Sequence, residues 1–119
     1  MRRVLLSGLL SVALFSCATP QAKETYSGTL DWSFETSAFR TDDGRGPWWL
    51  SAEGDAWPQV VAPIQNSGAG PWGRVHITVE GQLSAPGHYG HMGAYERELR
   101  VTRVIESRLS SASRPQSSN

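Results

Sequence analysis

Cysteine is nearly absent from this 119-residue chain, and several other features are scarce. The single cysteine, Cys17, excludes a disulfide within one chain. The longest uncharged apolar run, at positions 4–15, is shorter than the ~20 residues that a membrane-spanning helix needs. Basic side chains do not outnumber acidic ones, since there are 11 of each. The positive footprint of a nucleic-acid-binding protein is therefore missing.

Catalytic motifs are also lacking. The chain has no G-x-S-x-G nucleophile elbow and no convincing triad spacing. Asp31 and Glu35 could be considered as an acid and a base, but on an extended strand they would lie about 13 Å apart, too far for glycoside hydrolysis. We therefore expect no enzymatic activity and no cofactor.

The N-terminus has the pattern of an export signal. A basic head at positions 1–3 precedes the apolar run, which ends in Leu14-Phe-Ser-Cys17. This ending resembles the lipobox of bacterial lipoproteins; the alternative is an ordinary signal peptide with an unrelated cysteine. The resemblance implies cleavage before Cys17 and lipidation of its thiol. Ala18, where an Asp would retain the protein at the inner membrane, implies sorting to the periplasmic face of the outer membrane.

Four segments follow from this interpretation. Residues 1–16 are the signal peptide, and residues 17–25 are a lipidated tether. Residues 26–106 form the folded domain, and the serine-rich residues 107–119 are predicted to be a disordered tail. Without Arg2 and Arg3 the mature chain carries nine basic and eleven acidic side chains, a net charge of about −2.

Alternation of apolar and polar residues predicts an all-β domain. Strands are indicated at residues 26–34, 48–53, 74–84 and 95–106, with a bend at Gly81. Residues 35–47 are predicted to leave the first strand and form a loop, and residues 59–62 a short strand or a single helical turn. Short strands without a long helix favour a small antiparallel OB-like barrel, with a β-sandwich as the alternative.

Five stretches together resemble the C-terminal OB-like domain of NlpE-type envelope lipoproteins. They begin at Tyr26, Glu35, Trp48, Val79 and Gly87. The resemblance implies an OB-like fold and an envelope location. It also implies a set of structural residues: Glu35, Phe39, Trp49, Gly87, Gly90, His91, Gly93 and Tyr95. The copper connection of those proteins does not carry over, because this chain lacks their N-terminal domain and its Cys-x-x-Cys pair.

The glycine-rich segment at positions 87–93 has two interpretations. His88, His91 and Met92 are candidate ligands for copper or zinc. A protein metal site usually has three or four ligands and a second shell that orients them, and neither is evident here. We therefore favour a structural corner that leads into the last strand, with glycines every three residues.

The tryptophans are the remaining candidates for function. Trp48, Trp57 and Trp72 lie in or beside predicted loops and could stack on a glycan or a protein. Most large aromatic residues of a small domain are nevertheless needed in its core. The sequence thus predicts a lipid-anchored, non-catalytic accessory or binding module whose partner is an unidentified envelope protein or glycan. A metal-binding stress sensor and a Trp-presenting inhibitor module are the alternatives.

Overall fold

The computed structural model describes residues 23–110, so the predicted signal peptide and Cys17 lie outside the described residues. The described chain forms five strands and one helix: β1 (Glu24–Ser33), β2 (Thr36–Thr41), β3 (Trp48–Ala52), α1 (Ala56–Ser67), β4 (Gly73–Leu83) and β5 (Glu98–Leu109). The strands close into a barrel in the order β1-β2-β3-β5-β4. The prediction of a small OB-like barrel is confirmed. All neighbouring strands are antiparallel except β3 and β5, which run parallel.

The interior of the barrel follows from the alternation of side chains along the strands. Leu30 of β1, Ile77 of β4 and Leu99 of β5 are fully buried. The complete buried apolar core comprises Tyr26, Leu30, Phe39, Trp48, Leu50, Ala56, Val60, Val61, Ile64, Val75, Ile77, Val79, Leu99 and Val101. Each large side chain of this kind contributes about 1.5–3 kcal/mol by its removal from water.

Two glycines allow neighbouring strands to approach closely. A Cβ on Gly28 would lie 2.1 Å from the backbone oxygen of Arg40 in β2. A Cβ on Gly81 would lie 2.6 Å from the backbone oxygen of Arg100 in β5, where the register shifts between Glu80 and Gly81. The pairing passes from Arg103 directly to Val101, so the bulge lies in β5 at Thr102, opposite the predicted bend at Gly81 of β4.

Helix α1 closes one end of the barrel. Its buried face consists of Ala56, Val60, Val61 and Ile64, and the Ser107 hydroxyl of β5 donates a hydrogen bond of 2.7 Å to the Val60 carbonyl. The helix ends at Gly68, which adopts φ 68°, the left-handed conformation common after helix C-termini.

Several predicted elements are corrected by the structure. Residues 36–41 form β2 rather than a loop, and residues 59–62 belong to a 12-residue helix. Phe34, which was expected to point inward, is 72% exposed because β1 ends at Ser33 and a two-residue turn follows. The last strand begins at Glu98 rather than at residue 95, and it ends at Leu109, three residues beyond the predicted end of the domain.

Candidate functional site

A cleft with a volume of about 490 Å³ opens near the end of the barrel that α1 closes. It lies where β1 turns into β2 and where β3 leads towards α1. Four indole side chains line it: Trp32, Trp49, Trp57 and Trp72. Four hydroxyl side chains also line it: Ser33, Thr36, Ser37 and Ser51. Its volume is in the range of ligand-binding pockets, which combine apolar walls with a few polar groups.

Three of the tryptophans form a corner. The ring of Trp32 lies 5.5 Å from that of Trp57 at 86° and 5.0 Å from that of Trp72 at 84°. The fold brings these rings together because Trp32 pairs with Gly73, the neighbour of Trp72, and because Trp57 is in the first turn of α1. Trp72 is 44% exposed. The edge-to-face cluster therefore leaves indole surface open to solvent.

The polar side chains of the cleft differ in their hydrogen-bond partners and in their charge. The Ser37 hydroxyl donates a hydrogen bond of 2.7 Å to the Leu50 carbonyl. The Ser51 hydroxyl is buried and has no hydrogen-bond partner within residues 23–110. Among the described residues that line the cleft, Glu35 is the one charged side chain. Buried hydroxyl groups without a hydrogen-bond partner are uncommon in native proteins.

Glu35 also connects the cleft to the loop between β4 and β5, residues 84–97. His91 Nε2 lies 3.2 Å from a carboxylate oxygen of Glu35. Glu35, one of the expected structural residues, thus has a histidine as its ion-pair partner. Glu35 adopts φ 59°, a left-handed conformation that few residues other than glycine favour. The turn after β1 is thus held to the loop before β5.

The β4–β5 loop covers the outward side of Trp49. The Trp49 ring lies 5.3 Å from that of Tyr95, and a Cβ on Gly90 would lie 2.3 Å from the Trp49 indole. Tyr89 and Tyr95 pair as an isolated β-bridge that narrows the loop. The expected structural residues Glu35, Trp49, Gly90, His91 and Tyr95 are therefore brought together.

The other expected structural residues lie apart from this contact. Phe39 is in the barrel core, 6.4 Å from the ring of Trp48. A Cβ on Gly87 would lie 3.0 Å from the Tyr89 ring, and one on Gly93, which has φ 65°, would lie 3.3 Å from Cβ of His88. These glycines shape the loop without touching the cleft tryptophans.

Of the three tryptophans considered for ligand binding, Trp57 and Trp72 line the cleft and Trp48 does not. Trp48 is only 6% exposed because it packs edge-on against Tyr26, with ring centroids 5.8 Å apart, inside the barrel. Trp49 faces the other way, as expected for adjacent strand residues. Sequence reasoning missed Trp32 and Ser51 as cleft residues, because alternation placed Trp32 in the core and nothing distinguishes Ser51 from other strand serines.

The metal candidates do not form a recognisable site. Within the part of the chain that the structure describes, no three His, Cys, Asp or Glu side chains are grouped to hold an ion. His91 faces Glu35, His76 Nε2 lies 3.0 Å from the Asp42 carboxylate, and Met92 is 87% exposed.

Shifted pKa values occur outside the cleft. Burial raises the pKa of Tyr26, and its hydrogen bond to Glu24 adds to the effect. A hydrogen bond from Thr41, with a further contribution from Arg45, lowers the pKa of Asp43. Hydrogen bonds from Arg103 lower the pKa of Glu80. These interactions stabilise the loop after β2 and the pairing of β4 with β5.

The closed five-stranded barrel, with one helix between β3 and β4, defines the protein as an OB-like domain. Comparisons of the chain with protein-family models, with curated proteins and with solved structures find no match. Within residues 23–110, no helix is both long and apolar enough to span a membrane.

Proposed function

We propose that this protein is a lipid-anchored, non-catalytic binding module of the bacterial envelope, and that the tryptophan-lined cleft is its ligand site. The observation that carries the proposal is the cleft, in which four indoles surround a volume of about 490 Å³. In a small domain, exposed indole surface reduces solubility and is usually explained by a partner.

The position of the cleft agrees with how OB folds bind ligands. Their ligands lie on the face of strands 2 and 3, between the loops that follow strands 1 and 4. Here β2 and β3 contribute lining residues, and Glu35 belongs to the turn after β1. The β4–β5 loop reaches the same place through His91.

Binding without catalysis is favoured by the chemistry of the lining. Hydrolysis of a glycosidic bond generally uses two carboxyl groups on opposite sides of the bond. Only one carboxylate, that of Glu35, is present among the described residues of the cleft. The cleft is therefore suited to holding a ligand rather than to cleaving one.

The envelope address is supported by the sequence pattern around Cys17 and by the resemblance to NlpE-type lipoproteins. Acyl chains on Cys17 would hold the domain at a membrane, since each buried methylene contributes about 0.8 kcal/mol. Labelling cells with radioactive palmitate tests the address. Label is expected on the wild type and not on Cys17→Ala, and an unlabelled wild type would refute lipid anchoring.

The binding role is tested by photocrosslinking in cells. A photoreactive phenylalanine analogue replaces Trp72 in one variant and Leu109, which is 48% exposed and does not line the cleft, in a control. A discrete adduct is expected at position 72 and not at position 109. Equal labelling, or none, at both positions would contradict a ligand site in the cleft.

A further inference from the structure

We infer that the ligand of this cleft is an uncharged oligosaccharide, an inference that rests on the proposed function. The lining combines four indoles, four hydroxyl groups and a single carboxylate. A pyranose ring has an apolar C–H face, which can pack on indoles, and a rim of hydroxyl groups, which can bond to hydroxyl and carboxylate groups. The two surfaces are therefore complementary in both their apolar and their polar parts.

The indole corner suits a ring better than it suits an extended peptide. Trp57 and Trp72 are both nearly perpendicular to Trp32, at 86° and 84°. A pyranose can pack its C–H face on one indole, where the C–H groups meet the negative π face of the aromatic ring. The edge of the same sugar ring can then contact the neighbouring indole. Proline-rich peptides instead dock along grooves as polyproline helices. The perpendicular rings of the cleft form a corner and not an extended groove of that kind.

The hydrogen-bonding groups point to a ligand that both donates and accepts. Ser33 and Thr36 line the cleft and are partly exposed, and a hydroxyl both donates and accepts. The Glu35 carboxylate only accepts, and beside its contact with His91 it can accept a further hydrogen bond from a sugar hydroxyl.

The charge of the cleft selects against acidic ligands. Glu35 disfavours an anionic sugar, because like charges repel at short range and do so more strongly where water is excluded. An uncharged oligosaccharide avoids this repulsion.

The test is calorimetric titration of the full-length lipoprotein in a detergent that contains no sugar. The probes are neutral tetrasaccharides of glucose and of N-acetylglucosamine, an acidic tetrasaccharide of galacturonic acid, and a proline-rich decapeptide. At least one neutral tetrasaccharide is expected to bind, with affinity about tenfold weaker in Trp72→Ala and in Trp57→Phe. Leu109→Ala, a matched surface control, should bind as the wild type does. Thermal unfolding of each variant shows whether it is folded.

The charge argument has its own comparison. The acidic tetrasaccharide is expected to bind at least about tenfold more weakly than the neutral ones, and Glu35→Gln should reduce this difference. An acidic tetrasaccharide that binds as well as a neutral one would overturn the assignment to uncharged sugars.

The remaining outcomes separate this inference from the proposed function. Binding of the peptide alone, with the same dependence on Trp72, would overturn the carbohydrate assignment and leave the cleft as a ligand site. A photocrosslinked adduct at position 72 without binding of either neutral tetrasaccharide would have the same meaning. Absence of both binding and adduct would overturn the inference and the proposed function together.

Discussion

Replacing Gly90 by alanine should release the β4–β5 loop from the barrel or unfold the domain. Gly90 adopts φ 69° and ψ −157°, a region of the backbone map that is populated almost only by glycine. A Cβ at this position would lie 2.3 Å from carbon atoms of the Trp49 indole, closer than non-bonded carbon atoms approach. The substitution therefore introduces both backbone strain and a steric clash.

The size of the effect follows from adding these two costs. A side chain in this backbone region costs about 1–3 kcal/mol. Forcing a methyl group into an occupied contact costs about another 1–3 kcal/mol. The expected loss is roughly 2–6 kcal/mol, out of the ~5–15 kcal/mol by which small domains are stable. Gly93→Ala should cost less: Gly93 has φ 65°, so some backbone strain remains, but the added Cβ would lie 3.3 Å from the Cβ of His88 and would not clash severely.

Urea unfolding followed by circular dichroism measures these differences. A double-mutant cycle with Trp49→Ala then isolates the steric part: Gly90→Ala should cost less in the Trp49→Ala background, by about 1–3 kcal/mol. Loop release without global unfolding would show as faster hydrogen exchange of residues 84–97. A Gly90→Ala variant that is as stable as Gly93→Ala, and whose loop amides remain protected from hydrogen exchange, would contradict the predicted strain and clash.

Three further predictions concern the barrel. Gly28→Ala should cost at least about 3 kcal/mol or abolish folding in thermal melts, because its Cβ would meet the β2 backbone at 2.1 Å; wild-type stability would contradict the close approach. Ser37→Ala should cost about 1 kcal/mol in urea unfolding through the lost hydrogen bond to Leu50, and no loss would show that bond to be dispensable. NMR titration should find the pKa of Glu80 below its ordinary value and restored in Arg103→Ala. Because folding lowers the pKa of Glu80, the ionised carboxylate stabilises the fold at neutral pH, and this stabilisation is lost as the pH falls through that pKa. A pKa of Glu80 that stays the same in Arg103→Ala would contradict the pairing.

The strands that alternate strictly could be predicted from the sequence, and the elements without such a signal could not. β1 and β4 bury every second residue, all of them apolar or glycine, and were identified within a few residues. β2 buries Ser37, Phe39 and Thr41, so two of its three inward residues are polar and the apolar pattern is hidden. Only a short strand or a single helical turn is predicted at residues 59–62, because Pro63 should break a long helix, yet α1 continues through Pro63.

The candidate site depended on contacts that no local pattern encodes. Trp32, Trp57 and Trp72 are separated by 15 residues or more in the chain, and only the pairing of β1 with β4 and the start of α1 bring them together. Glu35 and His91 are likewise far apart in the chain, with β2, β3, α1 and β4 between them. The sequence could show which residues were chemically suited to binding, but their grouping required the tertiary structure.

The position of β5 determines when this chain can fold. β5 pairs with both β3 and β4, so without residues 98–109 those two strands keep open edges and the barrel cannot close. Pairings of such long sequence separation form slowly, typically in milliseconds to seconds for small β proteins. Synthesis of the last strand is therefore the step that commits the polypeptide to its native state. Until then the barrel cannot close, which would keep the chain able to pass through a membrane translocation channel, as the proposed lipid anchoring requires.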